Sequence, residues 1–81
     1  MAESEWRSSD VRYLRAIIES GDPVVTATEL ADEVGVSQQA AYSKLADMKD
    51  RGLVRSKKVG ARARVWWITT TGRDAYRESS Q

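Results

Sequence analysis

Five cations fall within ten residues of one another near the end of the chain: Arg55, Lys57, Lys58, Arg62 and Arg64, with only neutral residues between them. The chemistry open to such a run is anion binding. A guanidinium offers paired N–H donors to phosphate oxygens, and an ammonium acts as a compact point charge. Gly60 in the middle permits a sharp turn. The cations can therefore ride on a thin finger that tracks phosphates or enters a narrow groove. Lysines on an edge strand also guard against strand-to-strand aggregation, but five cations without one acid exceed that need. Other chemistries lack their residues. The chain has no cysteine and no histidine, which removes disulfides, thiol nucleophiles and almost every soft or borderline metal site. Asp32, Glu33, Asp47 and Asp50 are carboxylates, yet no nucleophile, glycine-rich phosphate loop or ligand cluster accompanies them. No catalytic residue, no metal and no cofactor is expected.

The scaffold available to hold the cations is small. Eighty-one residues, 41% of them hydrophobic and 31% charged, make one ordinary globular domain. The net charge of +1 hides an asymmetry. Residues 1–52 hold six Lys/Arg against ten Asp/Glu, a balance of −4, whereas residues 53–81 hold seven against two, a balance of +5. Such a division matters only if the basic part lands on one exposed element. No apolar run approaches the roughly 20 residues that span a bilayer. The start, Met-Ala-Glu-Ser-Glu-Trp, lacks the basic and apolar parts of a signal peptide. A cytoplasmic protein is expected, with no membrane partner.

Periodicity divides the chain into elements. Val11, Leu14, Ile17 and Ile18 recur at helical spacing, after Ser8 or Ser9 as cap and Asp10 at the positive end of the dipole. Gly21 and Pro23 end this helix. Val24–Thr26 is a short extended bridge. Thr26 and Glu29 have capping-box spacing for a second helix, whose Leu30, Ala31 and Val34 face inward before Gly35. Ser37 caps a third helix running to Arg51, with Ala41, Leu45 and Met48 on its buried stripe. Two helices separated by Gly35-Val-Ser37 make a helix-turn-helix. Beyond Gly52 the period falls to two. Residues 53–58 and 63–69 read as a hairpin joined by residues 59–62. Arg62, Arg64, Trp66 and Ile68 then share one face, and Ala63, Val65 and Trp67 the other. A short last helix carries Ala75 and Tyr76. The fold class is α+β, mostly helical. Residues 1–8 read as a flexible arm, 9–78 as the domain and 79–81 as a tail.

That order, with Glu29-Leu-Ala31, Gly35-Val-Ser37, Leu45 with Met48, Gly52-Leu-Val54 and Ile68-Thr-x-x-Gly72, resembles the winged helix-turn-helix regulators of transcription. Short archaeal, phage-repressor-like or MarR-type regulators are the nearest kinds. The resemblance covers residues 9 to 78. It implies a three-helix bundle with a hairpin wing and a short C-terminal helix, the third helix entering the DNA major groove and the wing an adjacent groove. On that third helix Gln38, Gln39, Tyr42 and Ser43 lie opposite the buried stripe and are the candidate base contacts. A Gln side chain pairs one donor and one acceptor with an adenine edge. Gln38 and Gln39 also suit a first turn simply as polar residues. Tyr42 either meets a sugar or phosphate or covers the edge of the core. Thr26, Ser37, Lys44, Lys57, Lys58, Arg62 and Arg64 are the candidate backbone contacts.

Trp66 and Trp67 are adjacent, so one must face away from the core. The family pattern puts Trp66 and Ile68 inside, leaving Val65 and Trp67 outside. Bare tryptophan is costly, so Trp6 of the arm or a second subunit is expected to cover it. The expectation is a sequence-specific double-stranded DNA-binding protein of repressor type, acting as a homodimer, with no small-molecule ligand. The competing reading is a winged helix used for protein–protein contact without DNA readout. That use expects a neutral or acidic wing and an apolar patch on the third helix. Single-strand binding would want several exposed aromatics in a basic groove.

Overall fold

The structure is a computed structural model in which residues 8–61 and 63–79 are described. Their order is α1 (Ser8–Glu19), α2 (Ala27–Val34), α3 (Gln38–Asp50), β1 (Val54–Val59), β2 (Ala63–Ile68) and α4 (Thr70–Ser79). This is the winged-helix arrangement expected. No described helix is long and apolar enough to cross a membrane.

Local chemistry sets the helix ends. Thr26 accepts from the Glu29 amide at 3.1 Å while Glu29 accepts from the Thr26 amide at 2.9 Å, a complete capping box for α2. Gly35 stops the helix with φ 84, a left-handed conformation that only glycine adopts without strain. Its amide bonds back to the Ala31 carbonyl at 2.8 Å. Ser37 restarts the chain two residues later by accepting from the Ala40 amide at 3.1 Å. Its short spacing from Gly35 fixes how α3 crosses α2. On α1 the described helix runs from Ser8, and the residues before it lie outside the described ones.

The core lies where α1, α2 and α3 meet the inner face of the hairpin. Leu14, Leu30, Leu45, Met48, Leu53 and Trp66 are among its buried side chains. The buried stripe of α1 is Asp10, Tyr13, Leu14 and Ile17, while Val11 and Ile18 are only half-buried. The stripe is thus turned toward the polar side of the periodicity, because Asp10 finds cationic partners on α3. Burial also raises the pKa of the Tyr13 phenol, with Arg12 opposing the shift in part.

The two strands pair antiparallel with Ser56 opposite Trp66 and Lys58 opposite Arg64. Val25 closes on the free edge of β2 through two bonds to Trp66, at 2.9 and 2.8 Å. At the base of the hairpin, the Thr69 hydroxyl donates toward the carbonyls of Gly52 and Leu53, at 2.6 and 3.0 Å, and accepts from the Gly72 amide at 3.0 Å. This ties the start of α4 to the end of α3.

Gly72 is required there by space. A Cβ would lie 2.2 Å from the Leu53 carbonyl oxygen and 2.7 Å from an Ile68 side-chain carbon. The carbonyl is held by Thr69 and cannot yield. Alanine gains roughly 1 kcal/mol of helix propensity over glycine, but overpacking against backbone outweighs it. Gly72→Ala is therefore expected to destabilise the domain by about 1–3 kcal/mol, read as a lower denaturant midpoint. A raised midpoint would show that α4 can pivot away.

Candidate nucleic-acid interface

One side of the molecule carries α3's outward residues beside the inner face of the wing. Gln39 and Ser43 are exposed on α3, and Gln38 is exposed in its first turn. No acid stands in the first turn of α3, so the positive end of its dipole is unopposed there. The Ser37 hydroxyl accepts a bond from Ala40 and keeps its own proton for an outside acceptor.

A cleft of about 340 Å³ separates α3 from the wing, lined by Thr26, Gln38, Tyr42, Arg64 and Trp66 among others. Four of the expected contact residues are thus brought together. Tyr42 covers the edge of the core, one of the two uses open to it. Its ring meets Trp66 edge-on, with centroids 5.5 Å apart and planes at 87°, yet 47% of the residue stays exposed. It covers the edge of the core and still presents surface to the cleft. Arg64 donates to the Ser56 hydroxyl at 2.9 Å, which orients the guanidinium on this same face.

The wing's cations do not form one patch. Lys58 and Arg64 are cross-strand partners on the Trp66 face. Arg55 and Lys57 oppose Trp67 and Val65 on the other face. Arg55, Lys57 and Lys58 are exposed. The hairpin is a finger with positive charge on both sides. Arg62 and Trp6 lie outside the described residues.

Two expected backbone contacts are engaged elsewhere. Lys44 turns away from the outer surface of α3 and pairs with Asp10 of α1 at 2.5 Å, its side chain only 16% exposed. Thr26 directs its amide and its hydroxyl to the Glu29 carboxylate, at 2.9 and 3.3 Å. A negative charge therefore occupies the start of α2, where a phosphate would need donors. Sequence reading missed Asp10 as the partner of Lys44, because a lone Asp in a first turn looks like a solvated dipole partner.

Trp67 and Val65 face outward, as alternation requires, but are half-buried and not bare. Two concavities flank Trp67. One of about 730 Å³ includes Lys49, Arg55 and Thr69, and one of about 550 Å³ includes Ile18, Asp22 and Arg73.

The MarR family profile matches residues 7–64. No curated protein matches the sequence. Among solved structures, the chain is similar to Bordetella bronchiseptica BpsR, whose DNA binding is regulated by 6-hydroxynicotinic acid. That match has a TM-score of 0.85 and 17% identity, over 99% of this chain and 61% of the other. It is similar to the M. tuberculosis transcriptional regulator MOSR solved with DNA, with a TM-score of 0.81 and 26% identity, over 95% of this chain and 55% of the other. It is also similar to a C80S mutant of E. coli MarR complexed with operator DNA, with a TM-score of 0.81 and 18% identity, over 91% and 53%. The chain therefore spans about 53–61% of the length of these proteins. With the family's profile matched over most of its length and the winged helix assembled as its relatives assemble it, the chain belongs to the MarR family.

Proposed function

We propose that the chain is a sequence-specific double-stranded DNA-binding protein, a transcriptional regulator of repressor type working in the cytoplasm. The observation that carries this reading is the pairing of an acid-free, polar α3 start with a finger that is cationic on both faces. A flat patch with charge on one face suits a single backbone. A finger charged on both faces suits the space between two rows of phosphates, as in a minor groove. Gln39 and Ser43, with Gln38 and Tyr42 beside them, read base edges from α3. Ser37, Lys57, Lys58 and Arg64 hold the backbone, together with Arg62 by sequence. The outer face of α3 is polar, which favours this reading over a protein-contact module. DNA-bound relatives lend support. Two copies joined through Trp67 and Val65 would place two α3 helices on two half-sites.

The test is a mobility shift against random duplex at low salt, repeated with single strands. Duplex binding that weakens with salt is expected, and binding to single strands alone would overturn the proposal. Selection of bound genomic fragments would then supply the preferred site. On that site Gln39→Ala is expected to relax preference at one base pair, losing about 1–3 kcal/mol of discrimination while random duplex binds as before. Equal weakening on all sequences would remove Gln39 from base reading.

A further inference from the structure

The charge of α3 is largely spoken for inside the protein. Asp10 of α1 is fully buried. Arg51, at the cap of α3, donates to both its carboxylate oxygens at 2.8 and 2.7 Å, and Lys44 pairs with it at 2.5 Å. Arg51 also reaches Asp47 at 2.7 Å. The hydrogen bonds that Arg51 donates to Asp10 raise the Arg51 pKa above its ordinary value, so the guanidinium stays charged. Among the described residues two carboxylates face two cations, and their charges balance. Lys44 and Arg51 are two of the three cations on α3 and its cap, with Lys49 the third. Lys44 lies on the flank of α3 that faces α1, one helical turn from Ala40 and from Asp47.

We propose that Asp10 is a positioning residue for DNA reading: it ties α3 to α1 through Lys44 and Arg51 and withholds both cations from the phosphates. α3 then meets the groove with uncharged polar side chains, and the wing supplies the attraction. A free cation on the flank of α3 would add affinity for any sequence and none for the right one. The inference rests on the DNA-binding reading and adds which charges take part.

The experiment is the salt dependence of binding to a random-sequence duplex by the wild type, Lys44→Gln, Asp10→Asn and the double variant. Lys44→Gln leaves Asp10 paired with Arg51, and it is expected to keep the wild-type log–log slope. Asp10→Asn releases Lys44, while Arg51 stays on Asp47, and is expected to steepen the slope by about 0.9, the increment for one neutralised phosphate. The double variant is expected to return to the wild-type slope. A purely structural Asp10 would alter stability and leave every slope alone, and that result overturns the proposal. A Lys44→Gln slope flattened by about 0.9 also overturns it, because Lys44 would then be a phosphate ligand. Should Asp10→Asn not fold, Lys44→Gln still tests the withheld charge, since a flattened slope overturns the proposal. A wild type that binds no duplex brings down the DNA-binding reading together with this one. A wild type that binds, with Lys44→Gln flattened, brings down this one alone.

Discussion

Trp66→Ala is expected to remove about 3–5 kcal/mol of stability, the usual cost of truncating a fully buried tryptophan. A domain of this size holds about 4–12 kcal/mol in all, at roughly 0.05–0.15 kcal/mol per residue, so the loss is a large fraction of the total and should read as a much lower denaturant midpoint. The indole is 2% exposed and stands at the junction of every layer. Its backbone bonds Val25 in both directions, Ser56 is its cross-strand partner, and Tyr42 packs edge-on against its ring. Its Nε1 has no hydrogen-bond partner among the described residues. Trp66→Phe therefore loses volume but no hydrogen bond, and should remain folded. Trp67→Ala, next along the strand, should behave differently. Trp67 is half-buried on the outer face, so the monomer should fold and the proposed dimer should weaken by about 2 kcal/mol or more if the ring sits at an interface centre. Circular dichroism with sedimentation separates the cases. A Trp67→Ala protein of unchanged mass at every concentration would exclude it from the subunit contact.

The parts of this fold that are written locally are legible in the sequence. The Thr26–Glu29 box, the Gly35-Val-Ser37 turn and the Ala41, Leu45, Met48 stripe each depend on residues within one or two turns of one another. What is not legible depends on distance in sequence. Asp10 and Arg51 are 41 residues apart. Nothing local distinguishes an Asp destined for burial from one that merely favours a helix start. The same gap hides the inward turn of Lys44. It also hides the burial of Tyr13, whose place follows from the rotation of α1 toward that ion cluster. Strand register belongs to this class too. Alternation assigns Arg64 to the Trp66 face, but the faces of Arg55, Lys57 and Lys58 follow from which residue pairs with which across the hairpin. The tight turn around Gly60 sets that pairing. A cluster that reads as one basic patch is, in three dimensions, two rows back to back.

Those two rows make opposite predictions for two modes of wing docking. If the finger stands edge-on between two backbones, Lys58→Ala with Arg64→Ala, and Arg55→Ala with Lys57→Ala, should each flatten the log–log salt slope. Every phosphate left without its cation removes about 0.9, so each pair accounts for up to about 1.8. Over a fourfold rise in salt that amounts to roughly a tenfold difference in binding. All four together should remove about 3.6, the largest binding effect expected from any set of substitutions here. If the wing lies flat on one backbone, only the Lys58 and Arg64 pair, which shares the face of Trp66 and the α3 cleft, should matter. Stability separates binding from folding in both cases, because Arg55, Lys57 and Lys58 are exposed and Arg64, among the described residues, bonds only a neighbouring strand hydroxyl. The withheld cations of α3 sharpen the comparison. With Lys44 and Arg51 paired to Asp10, little charge on α3 can mask a change in the wing. A quadruple variant that keeps its slope would mean that neither row touches phosphate, and the basic hairpin would revert to a guard against strand-to-strand aggregation.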